Sequence, residues 1–371
     1  MKIVGPTTQL GNTTEFSLCK GDVREYCMTH IFPGIDQKRF LEVFKKDIEI
    51  ESILECVSDA ELYYIENDHG RGEELYYFGK ENNLFHGEII WSKYHDFLPF
   101  LPSIPVTATY DKPSLFVGSK NNYTHQLIDC LPSLLFFEQI NRILSTDVNT
   151  FIFGKNNSIL DTLMEIPSVN KSISSAEKLY LNSLGSISKV GVWQIRRITF
   201  KKLYLVKHLS IFKAFKLFKS SLESLNTEHI SKQTKTSKNI VYLAREDKRV
   251  INQEEIINVI SSRKNSESLR NIHKLTYREK QQNLKQYANI LLPPGSDNIN
   301  GLCFSNNKSR LIQMISTSED NILNDPFTSY AGLRYLIPFM HRTKLLRSEP
   351  NSNITGEYSG KWNINDIHTC L

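Results

Sequence analysis

The feature that most restricts the fold of this chain is a repeated alternation of short apolar runs with amphipathic segments. The apolar runs have the length of β-strands, and the segments between them carry apolar residues at helical spacing. Strands that alternate with helices predict βαβ units and a parallel sheet, so we expect the α/β class. The predicted strands lie at residues 114–118, 149–154, 198–205, 239–245, 290–292 and 310–315, and the predicted helices at 121–140, 158–166, 208–220, 252–263 and 278–288.

Chain length and composition predict two domains. A chain of 371 residues is longer than one ordinary hydrophobic core supports. The polar stretch 224–238 has the composition of a linker. It separates an N-terminal domain, residues 1–223 with a β-rich lead-in over 1–105, from a C-terminal domain, residues 239–371. We expect both domains to be Rossmann-like, with a ligand cleft between them at the carboxyl ends of the strands.

Charge and composition disfavour several functional classes. The net charge of +5 is small, and no arginine-rich tract interleaved with aromatic residues suggests a nucleic-acid binder. No apolar run approaches the roughly 18–20 residues that cross a bilayer, and the N-terminus lacks the apolar stretch of a secretory signal. The six cysteines form no CxxC pair, which disfavours a zinc site and a disulfide framework. We therefore expect a cytoplasmic protein with reduced thiols.

The predicted helix 121–140 carries two polar residues, His125 and Asp129, away from its apolar stripe. A histidine and a carboxylate four residues apart share a helix face. They either cap and solvate an amphipathic helix or line a cleft, and Pro132 is expected to disturb the helix nearby. The apolar stripe consists of Leu127, Leu131, Leu134 and Leu135.

Three basic residues, Arg245, Lys248 and Arg249, follow the predicted strand that ends near Leu243. The carboxyl end of a strand is where a doubly wound domain holds its ligand, and cations there suit a diphosphate. The alternative is a solvated turn in which the basic residues pair with the neighbouring acidic residues at 246 and 247.

The predicted strand 290–292 runs into a second candidate site, the turn Pro293-Pro294-Gly295-Ser296. Backbone N–H groups at such a turn can bind an anion, and glycine permits close approach by a phosphate or sugar. The alternative is a plain join between strand and helix. The chain has no D-x-D motif, P-loop or GxGxxG, so basic side chains and backbone amides would handle any phosphate here.

The helix 208–220 is basic and amphipathic. Its lysines lie off the apolar side, as in helices that rest on an anionic membrane. The same pattern is typical of a helix that docks on its own domain. The apolar side carries Leu209, Phe212, Phe215 and Phe218.

Three stretches, residues 121–135, 241–255 and 275–304, together resemble the glycosyltransferase family 61 domain in order and spacing. The resemblance spans roughly residues 115–340. That family includes bacterial enzymes of capsular and surface polysaccharides. The resemblance implies a GT-B architecture and inverting, metal-independent transfer from a nucleotide sugar. A UDP-sugar is favoured over a CMP-sugar, the acceptor would be a glycan or lipid-linked glycan, and the location would be cytoplasmic, at the inner membrane face.

The family motifs match particular positions of this chain. The pattern Asn-Tyr-x-His-x-x-x-Asp-x-x-Pro is similar to residues 122–132, and the serine-arginine pair of the family corresponds to Ala244-Arg245. The Asn-Glu-Glu helix start resembles Asn252, Glu254 and Glu255.

The chain also departs from the family pattern. Where the family usually has Gly-Pro-His-Gly-Ala, this chain has residues 293–297 with Gly295 in the histidine position and the negative Asp297 nearby. The family tryptophan after the first histidine is Gln126 here.

The resemblance and the residue chemistry together assign roles. His125 is the predicted base for the acceptor hydroxyl, because imidazole titrates near neutrality. Asp129 is predicted to orient it, although the two residues could exchange these roles. The predicted donor-binding residues are Arg245, Lys248, Arg249, Asn252, Pro294, Gly295, Ser296, Asp297 and Asn298, with no metal. The missing histidine at 295 supports an alternative, a catalytically silent protein that binds glycans or partner enzymes.

Overall fold

The computed structural model has the α/β class that the alternating pattern predicts, with parallel strands and several helices. The chain divides into two units, residues 1–16 with 50–210 and residues 17–49 with 211–371. The structure describes residues 7–8, 53–67, 75–80, 83–85, 101–119, 126–144, 147–155, 161, 164–207, 211–223, 238–247, 249–295, 298–315, 342–349 and 359–370.

The described elements are numbered in chain order. The strands are β1 Thr7–Thr8, β2 Ile53–Asn67, β3 Leu75–Lys80, β4 Asn83–Phe85, β5 Val106–Tyr110, β6 Ser114–Phe116, β7 Thr150–Phe153, β8 Glu177–Tyr180, β9 Ser188–Val190, β10 Trp193–Lys207, β11 Lys238–Ala244, β12 Ser266–Arg270, β13 Tyr287–Leu292, β14 Arg310–Ile315 and β15 Thr343–Arg347. The α-helices are α1 Leu131–Leu144, α2 Pro167–Ser174, α3 Ile211–Glu223, α4 Gln253–Ser261, α5 Tyr277–Leu284, α6 Asn298–Phe304 and α7 Ile364–Cys370.

The first unit contains a mixed sheet of ten described strands, with β4-β3-β2-β10-β6-β7-β8 as its main order. Strands β6, β7 and β8 are parallel and are separated in the chain by α1 and α2, which gives the expected βαβ arrangement. The Rossmann-like prediction does not extend to the other half of the sheet, where β2 pairs with β10 in antiparallel register. Each of these strands has 15 residues, and strand pairing at this chain separation leaves no local sequence signal.

Two adjacent arginines of β10 form internal ion pairs on opposite faces of this sheet. Arg196 contacts Glu66 at 2.8 Å, and Arg197 contacts Glu61 at 2.5 Å. Side chains of neighbouring strand residues point to opposite faces, so each guanidinium enters a different layer. Pairing offsets part of the cost of burying these charges.

Of the helix predicted at 121–140, residues 126–140 are described, and α1 begins at residue 131. Residues Gln126–Cys130 form a π-helical turn that leads into α1. Pro132 has no N–H for the carbonyl of residue 128, and its ring would crowd that carbonyl, which accounts for the wider turn. The leucine stripe is buried as predicted, at positions Leu127, Leu131, Leu134 and Leu135.

The described sheet of the second unit is entirely parallel, in the order β12-β11-β13-β14-β15. In chain order this is 2-1-3-4-5, a doubly wound arrangement whose strand order reverses between β11 and β13. Its core packs α4 and α7 against the sheet around the fully buried Trp362. The loops that follow β11 and β13 are therefore the expected place for a ligand in this unit.

Helix α3 packs in the second unit, although the sequence placed it in the N-terminal domain. Phe218 contacts the rings of Tyr277 and Phe304, with ring centroids 6.0 and 6.1 Å away. Phe215 and Leu222 are also buried, so the apolar side of α3 is used for packing within its own unit. Across the described part of the chain, no helix is long and apolar enough to cross a membrane.

Candidate anion-binding site

The loop after β11 is held by the half-buried amide side chain of Gln253, at the start of α4. Gln253 accepts a hydrogen bond from the backbone N–H of Arg245 at 2.8 Å and donates to its carbonyl at 2.7 Å. The hydroxyl of Tyr242 donates to the same Gln253 oxygen at 3.2 Å, and burial raises the pKa of that tyrosine, which keeps it a neutral donor. One side chain therefore provides the hydrogen-bond partner of both the N–H and the carbonyl of Arg245. These bonds fix the backbone from which the Arg245 side chain extends.

Asp247 links the two arginines of this loop. Its carboxylate accepts from Nε and Nη2 of Arg245, with distances between 2.6 and 3.0 Å. It also contacts Nε of Arg249 at 3.3 Å and accepts from the Arg249 backbone N–H at 3.2 Å. The Arg245 side chain is only 9% exposed, compared with 35% for Arg249 and 41% for Asp247.

The charges of this cluster fix the ionisation of Asp247. Burial by itself would raise the pKa of its carboxyl group. The hydrogen bonds and charge of Arg245, followed by those of Arg249, outweigh burial and hold the pKa below its ordinary value. Asp247 is therefore a carboxylate near neutral pH and accepts hydrogen bonds from both arginines.

The turn after β13 meets the arginines at the same edge of the sheet. Gly295 has φ +99°, a backbone conformation that favours glycine. A Cβ atom at this position would overlap Nη1 of Arg249 and would lie 3.3 Å from Nη1 of Arg245. Two guanidinium groups thus converge on one glycine at the point where the strand order reverses, which is where a doubly wound domain binds ligands.

A second buried amide fixes the turn after β13. Gln313 of β14 donates from Nε2 to the carbonyl of Pro293 at 3.0 Å and to that of Met314 at 2.8 Å. Its oxygen accepts from Asn298 Nδ2 at 3.2 Å. The loops after β11 and β13 are therefore each pinned by a glutamine from a neighbouring element.

The structure brings together part of the predicted donor site. Arg245 and Arg249 converge on Gly295, and Pro294 precedes it. Asn252 is engaged elsewhere: its amide group donates to the Trp362 carbonyl at 2.8 Å and accepts from the Trp362 N–H at 3.1 Å. Asn298 is buried, at 2% exposed, and contacts Gln313. Lys248, Ser296 and Asp297 lie outside the described residues.

The predicted catalytic pair belongs to the first unit. His125 lies outside the described residues, and Asp129 is described only as part of the π-helical turn before α1. The segment leading to it is well anchored, because the N–H groups of Val117 and Gly118 both donate to the Ile152 carbonyl, at 2.9 and 3.1 Å. The backbone therefore places this turn after the carboxyl end of β6.

Three residues of the site were not singled out from the sequence: Asp247, Gln253 and Gln313. Asp247 was considered only as part of a solvated turn. Gln313 carries a visible signal, since it is the polar residue inside the apolar strand run RLIQMI. Gln253 has no comparable signal, because glutamine is ordinary in the first turn of a helix.

Comparison with known proteins adds no relative: no protein-family model matches the chain, and no curated protein matches it significantly. The resemblance to glycosyltransferase family 61 therefore rests on residues 121–135, 241–255 and 275–304 alone. Among the side chains that the structure describes, no group of three or more His, Cys, Asp or Glu is arranged as metal ligands would be.

The first prediction concerns Asn252, whose amide holds the backbone of Trp362. Asn252→Ala would leave the Trp362 N–H and carbonyl without partners and should lower the free energy of unfolding by about 1–3 kcal/mol. The folded variant should bind UDP as the unmodified protein does. Asn289→Ala, which removes an exposed hydrogen bond to the Asn239 carbonyl, is the control and should cost less in urea unfolding. If the folded Asn252→Ala variant loses affinity for UDP, Asn252 is a nucleotide-binding residue, as the sequence predicted.

The second prediction concerns Gly295. Gly295→Ala should displace the Arg249 guanidinium and strain the backbone, lowering the free energy of unfolding by about 1–3 kcal/mol. Gly191→Ala is the control, because Gly191 also has a positive φ, +61°, but no atom within 4 Å of the new Cβ. Urea unfolding should give the larger loss for Gly295→Ala. Equal losses would contradict the close approach of Arg249 to Gly295.

Proposed function

We propose that the protein is an inverting glycosyltransferase that moves a sugar from a nucleotide donor to a hydroxyl of a surface glycan. The observation that carries the proposal is the convergence of Arg245 and Arg249 on Gly295 at the strand-order reversal of the second unit. Inversion requires the nucleotide phosphate to depart from the face opposite the attacking hydroxyl, with its developing charge stabilised. Two guanidinium groups are suited to that charge, because their planar N–H edges match phosphate oxygens.

The proposed architecture is GT-B, in which two α/β units face a common cleft. The second unit would bind the donor, as its doubly wound sheet and paired arginines favour. The first unit would bind the acceptor glycan or lipid-linked glycan. Its β6-α1-β7 segment carries the sequence motif that contains His125 and Asp129.

The absent family histidine at 295 is compatible with donor binding. In this chain the space that a side chain at 295 would enter is taken by the Arg249 guanidinium. A cation thus lies beside the position at which the family carries its histidine, and we propose that it takes the same part in neutralising a phosphate. This arrangement favours an active donor site over the silent alternative, which has no need of a nucleotide site.

The proposed chemistry uses this chain's own groups and no divalent metal, in keeping with the missing D-x-D motif. His125 would take the proton of the acceptor hydroxyl as that oxygen attacks the anomeric carbon. Asp129 would hold the imidazole in position. Arg245 and Arg249 would hold the departing diphosphate. The donor is proposed to be a UDP-sugar, and the place of action the cytoplasmic face of the inner membrane.

The third prediction tests the donor site by calorimetry with UDP, CMP and GDP. Arg245→Ala should weaken binding of the preferred nucleoside diphosphate by about 1.5–3 kcal/mol, the usual value of a hydrogen bond to a charged group. That corresponds to roughly ten- to hundredfold in Kd. Arg270→Ala is the control, because Arg270 ends the neighbouring strand β12 but is exposed and pairs with Glu254 at 2.6 Å. If a folded Arg245→Ala protein keeps its nucleoside diphosphate affinity, Arg245 does not bind the nucleotide and serves only in the ion pair with Asp247.

The fourth prediction tests the catalytic pair. His125→Ala should lower turnover by roughly 10²–10⁴-fold, the usual share of a general base. Asp129→Asn should lower turnover less, because the imidazole is then present but poorly held. Neither variant should change UDP affinity. A structural pair gives the opposite pattern, a lower melting temperature with nearly normal turnover of the folded fraction, so all three quantities are measured on one preparation.

A further inference from the structure

We propose that Asp247 is an internal competitor for the donor diphosphate: its carboxylate occupies the arginine pair in the empty protein and leaves it when the ligand binds. The inference rests on the proposed function, because it assumes that Arg245 and Arg249 bind the diphosphate. It also predicts the selectivity of that site: only an anion that binds the two arginines more strongly than a carboxylate does can enter.

The geometry places Asp247 where a phosphate would bind. The Nε and Nη2 atoms of Arg245 form the guanidinium edge that suits two oxygens of one anion, and both already donate to Asp247. The same carboxylate contacts Nε of Arg249 at 3.3 Å. Any anion that uses this edge of Arg245 and also meets Arg249 must therefore replace the Asp247 oxygens.

The pattern of exposure also favours displacement. The Arg245 side chain is nearly buried, at 9% exposed, while Asp247 is 41% exposed. Asp247 thus covers the arginine but is itself reached by solvent, so its carboxylate can move outward and be hydrated. A diphosphate carries more negative charge and more acceptor oxygens than one carboxylate, so it can replace both bonds that Asp247 makes to Arg245 and add others.

The competitor is present across the neutral range. The arginines hold the pKa of Asp247 below its ordinary value, so the carboxylate stays charged where the enzyme would work. The other acidic residue of this loop, Glu246, does not share the role. It is 58% exposed and forms an ion pair with Lys274 at 3.8 Å.

The opposite role for Asp247 makes an opposite prediction. A carboxylate that only held Arg245 in the correct orientation would support ligand binding, and its loss would weaken affinity. A competitor must be removed before the ligand binds, so its loss strengthens affinity. The sign of the change therefore decides between the two roles.

The test is calorimetry with UDP on the full-length protein and on Asp247→Asn. The asparagine keeps an oxygen that can accept the Arg249 backbone N–H, so the turn is retained while the charge is lost. Glu246→Gln is the matched control, because it removes the same charge from the adjacent position, where the carboxylate pairs with Lys274. Asp247→Asn should bind UDP about three- to tenfold more tightly than Glu246→Gln does.

Three results would overturn the inference, and they are distinguishable. If the unmodified protein binds UDP but Asp247→Asn binds it equally or less well than Glu246→Gln, Asp247 is a positioning residue and the donor site stands. If none of the three proteins binds UDP or another nucleoside diphosphate, the donor site itself fails. A gain in Asp247→Asn that persists unchanged after adding Arg245→Ala would also overturn the inference, because the competition would then not act through that arginine.

Discussion

The parallel pairing of β11 with β13 is the constraint on which the candidate anion-binding site depends. Tyr242 of β11 lies opposite Leu291 of β13, so both strands end at the same edge and their following loops meet there. Arg245 and Gly295 are distant in the chain, yet the sheet brings them within a few ångströms. Because β12 lies on the other side of β11, the strand order reverses at this pair.

Side-chain amide groups, buried at Gln313 and Asn252 and half-buried at Gln253, convert this coarse placement into a defined geometry. Gln253 satisfies the backbone of Arg245, and Gln313 satisfies the carbonyl of Pro293. A buried backbone group without a partner costs about 1–3 kcal/mol, so each loop is held in the conformation that keeps these bonds. Asn252 serves the same purpose farther from the arginines, by joining the start of α4 to the Trp362 backbone.

The sequence predicted three of the five described strands of the second unit, β11, β13 and β14, because their signals are local. Apolar strand runs, helical spacing and the basic residues after β11 can each be read within a short window, and parallel sheets place strand ends together. The role of Gln313 could not be read in this way, since its partner at Pro293 is 20 residues away. In the first unit the antiparallel pair of Glu61 with Thr199 joins segments more than a hundred residues apart, and only the second part of β10 was predicted as a strand.

The charges around Gly295 explain how such a site can exist before a ligand arrives. Two guanidinium groups placed close together repel each other, and one of them, Arg245, is largely removed from water. Asp247 supplies the missing negative charge within the same turn, so the empty protein keeps a compensated cluster. A diphosphate can provide the same compensation with more charge and more acceptor oxygens, while the released Asp247 regains hydration. In the proposed exchange the arginine pair therefore has an anionic partner in both states, and the difference between the two anions would set the affinity for the ligand.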